Sequence, residues 1–182
     1  MTQLETERGM VRVPTGRWEV DPAHSSVEFR VKHMMISTVR GRFREFEGRI
    51  EAASDYHDSK VSGCVKTASI DTNEPRRDDH LRSEDFFHAE EHPEIRFEST
   101  SVEHLDGANY RVTGDLAMHG EQKPVTFEVT VHGAHDDRVG LEARATISRG
   151  EFGLRWQQAL ETGGVVVGDE IRISADISAV RR

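Results

Sequence analysis

Apolar and polar residues alternate along most of this chain. In residues 27–32, valine and phenylalanine alternate with glutamate, arginine and lysine. Because successive side chains of a strand point to opposite faces, this period of two predicts a half-buried β-strand. The same alternation recurs in five further segments: 95–97, 110–118, 125–131, 139–147 and 171–179.

Two other stretches are less regular but still extended. Between Val39 and Ile50 the apolar positions change phase, and a bulge or sharp bend near Glu45 would reconcile the two registers. Residues 60–70 form a less clean strand. The chain is therefore predicted to contain about eight strands.

Only two segments do not fit the strand pattern. Residues 71–87 carry Asn73 as a possible N-cap and Pro75 near a first turn, and they predict a short exposed helix. Residues 151–168 are rich in glycine and predict a long loop with room for one helical turn. Neither segment could cover a sheet, so the sheet must bury its apolar face against itself, as a sandwich or a closed barrel.

The composition is typical of one folded globular domain. The chain has 182 residues, of which 35% are hydrophobic and 31% charged, with a net charge of -9. Its lysines and arginines are scattered among acidic residues, so no nucleic-acid partner is expected. Residues 1–16 are predicted to be an N-terminal tail and residues 17–182 the barrel domain. The tail lacks the features of a signal peptide, so we expect a cytoplasmic location.

The single cysteine, Cys64, excludes an intramolecular disulfide. It is flanked by Gly63 and Val65 in a predicted strand. We interpret it as a small buried hydrophobic residue rather than a reactive thiol.

Five motifs, in order along the chain, resemble those of the YceI-like family. The first contains W-x-x-D-x-x-H-S and H-M-x-x-S-x-V-x-G-x-F, the second D-T-x-x-x-x-R-D-x-H-L-x-S-x-x-F-F, and the fourth H-G-x-x-K-P-V. Ordered motifs at consistent spacing are more specific than any single pattern. They lie in residues 17–46, 71–87, 92–100, 114–126 and 148–180.

This resemblance implies an all-β fold, namely an eight-stranded antiparallel lipocalin-like barrel with one short helical segment between strands. It also implies a frequent homodimer and a pore that holds a long polyisoprenoid chain. Many members of the family are exported, and this sequence departs from them in lacking a signal peptide.

The residues themselves are compatible with a pore. An eight-stranded barrel is wide enough to be filled by side chains or to hold one small ligand. Small residues interrupt the large ones on the inferred inward faces and would leave a channel; alternatively, the glycines are bending positions at barrel corners. These small residues are Gly41, Gly63, Gly114, Ala143, Ala145 and Ala175.

A set of candidate ligand-binding residues follows from the inward faces and the non-strand segments. Phe86, Phe87 and Trp156 are expected at a lipophilic mouth, although a plug or a dimer contact would also explain them. The other candidates are Phe29, Val31, His33, Gly41, Phe43, Val65, Phe97, Gly114, Leu116, Phe127, Ala143, Ala145 and Ile173.

Arg77, Asp78 and His80 lie on the second motif and are candidates for binding a polar headgroup. The alternative is a solvated helix whose opposite charges pair locally and contribute little to stability.

No metal site or cofactor is predicted. His88 and His92 have a spacing that a helix would place on one face, but Pro93 should end the helix there. The run of His33 with Met34 and Met35 could suit a soft metal, but a metal site also needs converging ligands and a second shell of supporting residues.

A catalytic triad of Asp21, His24 and Ser25 is not favoured, because adjacent residues of a strand point to opposite faces. Asp21 and Ser25 are better explained as residues that shape a turn.

The predicted function is a non-catalytic one: the barrel binds and carries or stores an isoprenoid quinone or polyprenyl compound, with possible transient membrane contact for lipid exchange. Two alternatives remain open. One is a lipid-modifying enzyme that uses His24, His80 or His119 as a base, and the other is an interaction protein with a filled barrel.

Overall fold

The alternating segments form eight antiparallel strands that close into a barrel, as predicted. The computed structural model describes residues 6–7, 9–158 and 166–182. Its strands are β1 (Gly16–Val20 and Ser26–His33), β2 (Ser37–Phe43 and Phe46–Ala52), β3 (Lys60–Lys66 and Ile70–Asp71), β4 (Glu94–Asp106), β5 (Asn109–Met118), β6 (Glu121–His135), β7 (Arg138–Ser148) and β8 (Val167–Arg181).

Each strand pairs with the next along the chain, and β8 pairs with both β7 and β1 to close the barrel. Ala175 of β8, for example, pairs with Ala143 of β7 on one side and with Val27 of β1 on the other. Consecutive strands are therefore neighbours throughout, which is the up-and-down topology of a lipocalin-like barrel.

The first three strands are each interrupted along their length. A 3₁₀ turn at Pro22–His24 divides β1, and a second one at Thr67–Ser69 divides β3. β2 breaks between Phe43 and Phe46, so the predicted bend near Glu45 is confirmed. These breaks bend the long strands so that they can wrap around the barrel.

The predicted helix is α1, Pro75–Arg82, between β3 and β4. Its N-cap is Glu74, whose side chain accepts a hydrogen bond from the Arg76 N–H at 3.0 Å. The prediction of Asn73 as the N-cap was wrong by one residue. Asn73 has a left-handed backbone, with φ of 67°, whereas an N-cap residue has an extended one. Among the described residues, no helix is long and apolar enough to cross a membrane.

The two ends of the barrel differ. Helix α1, the β1–β2 and β5–β6 turns and the connection before β8 share one end, which we call the helix end. The other end, called the closed end, is covered by the N-terminal segment, in which Thr6–Glu7 and Met10–Val11 form a two-stranded hairpin.

Part of the predicted tail packs against the closed end. The Tyr110 hydroxyl donates to the Val11 carbonyl at 2.7 Å, and Trp18 Nε1 donates to the Pro14 carbonyl at 2.8 Å. Arg12, only 8% exposed, donates to the Ser54 carbonyl at 2.8 Å. Contacts within the chain thus hold residues 10–14 in place.

The predicted loop at 151–168 begins with a 3₁₀ helix, Arg149–Phe152, which ends at Gly153 in the left-handed region with φ of 77°. Phe152 and Leu154 are buried in a core cluster at the helix end. Residues 159–165 of this prediction lie outside the described residues.

Candidate binding cavity

The barrel encloses a cavity of about 340 Å³. That volume lies in the range of small-molecule sites, about 300 to 1,000 Å³. All eight strands contribute inward-facing residues to its wall, most of them valine, isoleucine, leucine or phenylalanine. The alternation in the sequence therefore builds an apolar interior that side chains do not fill.

Most of the candidate residues lie on this wall. They come from all eight strands and from the segment after helix α1. Those that line the cavity are Phe29, Val31, Phe43, Val65, Phe86, Phe87, Phe97, Leu116, Phe127, Ala143 and Ile173.

Two of the candidate glycines do not line the cavity, because neighbouring groups already occupy the space beside them. A Cβ on Gly41 would lie 2.6 Å from Phe29 Cε1, so the Phe29 ring covers this glycine. A Cβ on Gly114 would lie 2.6 Å from Phe97 Cζ and 2.7 Å from Ser99 Cα. Gly114 adjoins a register shift between β4 and β5, as expected for a bending position.

Three other candidates are also absent from the wall. Ala145 packs against the core cluster at the helix end, and His33 closes the β1–β2 ladder opposite Ser37. Trp156 packs beside Phe86 with the two rings tilted and their centroids 5.3 Å apart, and its ring meets that of His80 edge-on at a centroid distance of 4.9 Å. It does not line the cavity.

The remaining small residues do widen the interior. Gly63, Ala143 and Ala175 line the cavity, and a Cβ on Gly63 would meet only the Glu47 carbonyl oxygen, at 3.7 Å. Gly48, which was not among the predicted residues, pairs with Gly63 across β2 and β3 and lines the cavity as well. Its place on the wall follows from the change of phase in β2.

The helix end of the cavity is covered by aromatic side chains. Phe86 is buried, and the Phe87 ring meets Phe43 edge-on with centroids 6.1 Å apart. Both line the cavity and belong to a short connection rather than to a strand. Loops beside pockets move more readily than barrel strands.

Arg149 is a buried residue at this end that sequence reasoning missed, although it lies in the fifth motif. Its guanidinium donates to the carbonyls of Leu154 and Trp156 at 2.7 and 2.9 Å, and to those of Gly168 and Val167 at 2.9 and 3.2 Å. Burial lowers the pKa of Arg149 from its usual value. These four bonds fasten both described ends of the 154–168 connection to the barrel.

Two polar residues at the closed end were also missed. Arg12 and Tyr110 both line the cavity. Arg12 Nε has no hydrogen-bond partner among the described residues, and burial raises the pKa of Tyr110. Arg12 was not predicted because it lies in a polar segment without the alternation of apolar and polar residues that marks a strand.

The headgroup candidates belong to a network on helix α1 and do not line the cavity. Asp78 is buried and accepts hydrogen bonds from the Thr72 N–H at 2.8 Å and the Thr72 hydroxyl at 2.5 Å. Arg77 donates to the Thr72 hydroxyl and carbonyl, both at 2.7 Å. His80 pairs with Asp85 at 2.8 Å. Their role toward a ligand stays a prediction.

The Asp21 turn agrees with its structural interpretation. Asp21 accepts from the Ala23 N–H at 3.1 Å, and its bond to His24, followed by that to Arg138, lowers its pKa. The Ser25 hydroxyl exchanges hydrogen bonds with the backbone of Ser178 instead of with His24. The three residues therefore do not form a triad.

Among the described residues, the ring nitrogens of the other two histidines considered as bases have no hydroxyl or thiol partner. His80 contacts a carboxylate, and His119 Nδ1 lies 3.0 Å from the Phe152 carbonyl oxygen. Cys64 is buried, and burial raises the pKa of its thiol, which fits the interpretation of an unreactive side chain.

One cluster in the described part of the chain has the composition of a metal site. It consists of His88, Glu91 and His92. Each residue offers one ligand atom, and these three atoms all lie within 4.8 Å of one another. The other suggested metal arrangement, His33 with Met34 and Met35, leaves both methionines exposed to solvent.

Known proteins resemble this chain in sequence or in fold. A UPF0312 protein of Staphylococcus aureus (strain bovine RF122 / ET3-1) is 36% identical over 162 residues, which cover 85% of this chain and 92% of the relative. The crystal structure of Burkholderia cenocepacia BcnA superposes with a TM-score of 0.79 at 25% identity, covering 88% of this chain and 99% of BcnA.

A more distant structure is a polyisoprenoid binding domain from Saccharophagus degradans. Its TM-score is 0.71 at 13% identity, over 91% of this chain and 98% of that domain, so the likeness concerns the fold. The sequence pattern of the YceI-like domain matches residues 18–179. The resemblance inferred from five motifs is thereby confirmed: this chain belongs to the YceI-like domain family.

Proposed function

We propose that this protein binds one isoprenoid lipid inside the barrel and carries or stores it without changing it chemically. The observation that carries the proposal is the cavity of about 340 Å³ with an apolar wall drawn from every strand. An isoprenoid quinone or a polyprenyl compound is the ligand class we favour. The structural likeness to a polyisoprenoid binding domain supports this class.

Burial of a hydrocarbon tail supplies enough free energy for tight binding. Burial contributes about 0.8 kcal/mol per methylene-sized group, so each five-carbon isoprene unit contributes at most about 4 kcal/mol before ordering costs. A few buried units are therefore enough for tight binding. The aromatic rings of Phe29, Phe97 and Phe127 in the wall offer broad apolar contact to such a chain.

The proposal includes exchange of the ligand at the helix end. Phe86 and Phe87 cover the cavity there on a connection outside the strands. The nearby β1–β2 turn exposes Met34, Met35 and Ile36, of which Ile36 is 85% exposed. An exposed apolar turn beside the mouth is suited to transient contact with a lipid surface.

The hydrogen-bond partners of the histidines proposed as bases support a protein that carries its ligand without catalysis. The ring nitrogens of His24 and His80 contact carboxylates, and that of His119 contacts a backbone carbonyl. A nucleophile and base pair would need a hydroxyl or thiol at such a nitrogen. The homodimer that the family resemblance implies remains a prediction, which light scattering would test.

The experiment is organic extraction of purified protein followed by mass spectrometry. We expect a prenyl lipid in an amount close to one molecule per chain, removed by delipidation and restored when a prenyl alcohol is added back. Absence of any co-purifying lipid, together with failure of the delipidated protein to take up a prenyl alcohol, would refute the proposal.

A further inference from the structure

The connection after helix α1 brings two histidines together. The His92 N–H donates to the His88 carbonyl at 2.9 Å, and the Glu91 N–H donates to the same carbonyl at 3.1 Å. Residues 88–92 thus form a single helical turn that ends before Pro93. Because residues four apart lie on one side of such a turn, a single turn suffices to bring His88 close to His92.

The side chains of this turn are close to metal-binding geometry. The ligand atoms of His88, Glu91 and His92 all lie within 4.8 Å of one another, and His88 Nδ1 is 3.0 Å from Glu91 Oε2. Ligands about 2.1 Å from a tetrahedral Zn²⁺ lie about 3.4 Å from each other. Small side-chain rotations are therefore enough to place three donors around one ion.

A third imidazole adjoins the cluster from another element. The ring of His119, in the β5–β6 turn, has its centroid 5.0 Å from that of His92. Its Nδ1 lies 3.0 Å from the Phe152 carbonyl oxygen, which can only accept, so the proton belongs on Nδ1. This leaves the Nε2 lone pair free, and a carbonyl that fixes the tautomer in this way commonly supports a metal-binding histidine.

We infer that His88, Glu91 and His92 bind a divalent transition-metal ion of the Zn²⁺ class, with His119 as the fourth ligand. Imidazole nitrogens with one carboxylate favour Zn²⁺, Ni²⁺ or Cu²⁺ over Mg²⁺ and Ca²⁺, which prefer oxygen ligands. None of the four residues lines the lipid cavity, so the site is separate from it. A bound ion would join the connection that carries Phe86 and Phe87 to the β5–β6 turn.

The test is calorimetric titration of ZnCl₂ into tag-free protein that has been stripped with a chelator. We expect saturable binding of one ion per chain. Glu91→Gln and His88→Asn should each weaken this binding at least about tenfold, since loss of a direct ligand costs no less than loss of a supporting residue. Asparagine is chosen because it tolerates the φ of 49° at His88.

A matched control is His57→Asn. His57 lies 2.9 Å from the Asp55 carboxylate, so it is also a histidine with an acidic neighbour, but it lies in a different connection, between β2 and β3. Its replacement should leave Zn²⁺ affinity unchanged. The Glu91 side chain is 66% exposed, so its replacement should not disturb the fold, which circular dichroism would verify.

Two results would overturn the inference. One is the absence of saturable Zn²⁺ binding, and the other is unchanged affinity in folded Glu91→Gln protein. Substituting Co²⁺ and recording its visible absorption tests the fourth ligand: His119→Gln should alter the spectrum, and an unaltered spectrum would contradict the assignment of His119.

Discussion

The ring of Phe29 in β1 lies over the bare backbone of Gly41, its cross-strand partner in β2. A Cβ at Gly41 would be 2.6 Å from Phe29 Cε1 and 2.8 Å from Phe29 Cε2. The glycine thus leaves room for the tip of an aromatic ring against the barrel wall. Without that recess, the ring would project further into the cavity.

Gly41→Ala should therefore reduce lipid binding more than it reduces stability. The clashing atoms belong to the far end of the Phe29 side chain, which can turn into the neighbouring cavity. We expect an unfolding cost at the low end of the range for overpacking, about 1 kcal/mol, and a clear loss of affinity for prenyl alcohols. Urea unfolding and a lipid titration would measure the two effects.

Gly114→Ala is the matched comparison. Its Cβ would meet the backbone of Ser99 at 2.7 Å, and a backbone cannot move aside as a side chain can. This variant should lose more stability than Gly41→Ala, about 3 kcal/mol or more. Equal stability of the two variants would show that the recess under Phe29 is as rigid as the β4–β5 contact.

Gly63 is the position where the cavity can be narrowed directly. A Cβ there has ordinary contact distances and points into the cavity, so Gly63→Leu should fold normally. Displacing three or four methylene-sized groups of ligand at about 0.8 kcal/mol each should weaken binding roughly 100-fold. Gly140→Val is the control, since a Cβ at Gly140 meets nothing within 4 Å and Gly140 does not line the cavity. Unchanged affinity in Gly63→Leu would argue against ligand binding in this cavity.

Replacing Asp78 distinguishes a structural role of this residue from a role in binding a headgroup. It is buried and accepts two hydrogen bonds from Thr72, so Asp78→Ala should cost about 1 to 3 kcal/mol of unfolding free energy, and Asp78→Asn less. If its role is structural, the affinities for a prenyl alcohol and a prenyl phosphate should change together. A selective change for the phosphate would instead support the headgroup prediction for this helix.

Acid should loosen the contact between the Arg149–Phe152 turn and β8. The Ser148 hydroxyl donates to Asp169 at 2.5 Å and the Gly150 N–H donates at 2.9 Å, and these bonds, with nearby Arg149, lower the pKa of Asp169. A lowered pKa stabilises the fold at pH values above the ordinary aspartate value of about 3.9, and this contribution is lost as the pH falls through the folded value.

The stability difference between wild type and Asp169→Asn should accordingly be largest near neutral pH and should shrink below about pH 4. Urea unfolding across that range measures it, with Asp176→Asn as a control for removing one charge from the same strand. A difference that stays constant with pH would mean that the carboxylate charge does not stabilise this contact.

The strands and the helix were predictable because their signals are local: alternation sets the inward faces, and Pro75 marks the helix start. The shape of the cavity was not predictable, because it depends on which neighbouring side chain fills the space beside a small residue. Gly41 and Gly63 look alike in sequence, yet a ring covers one and the other is open. Arg12 was missed because its buried hydrogen bonds go to carbonyls far away in the sequence, and the pattern of apolar and polar residues does not indicate such bonds.

The central claim is that the barrel encloses the tail of one prenyl lipid, and it is tested most directly by titrating delipidated protein with prenyl alcohols of increasing length. Affinity should rise with each added isoprene unit until the cavity is full and then level off or fall, because further units remain in water and gain no burial free energy. An affinity that keeps rising by the same increment for every added unit would contradict an enclosed cavity and indicate an open lipid-binding surface.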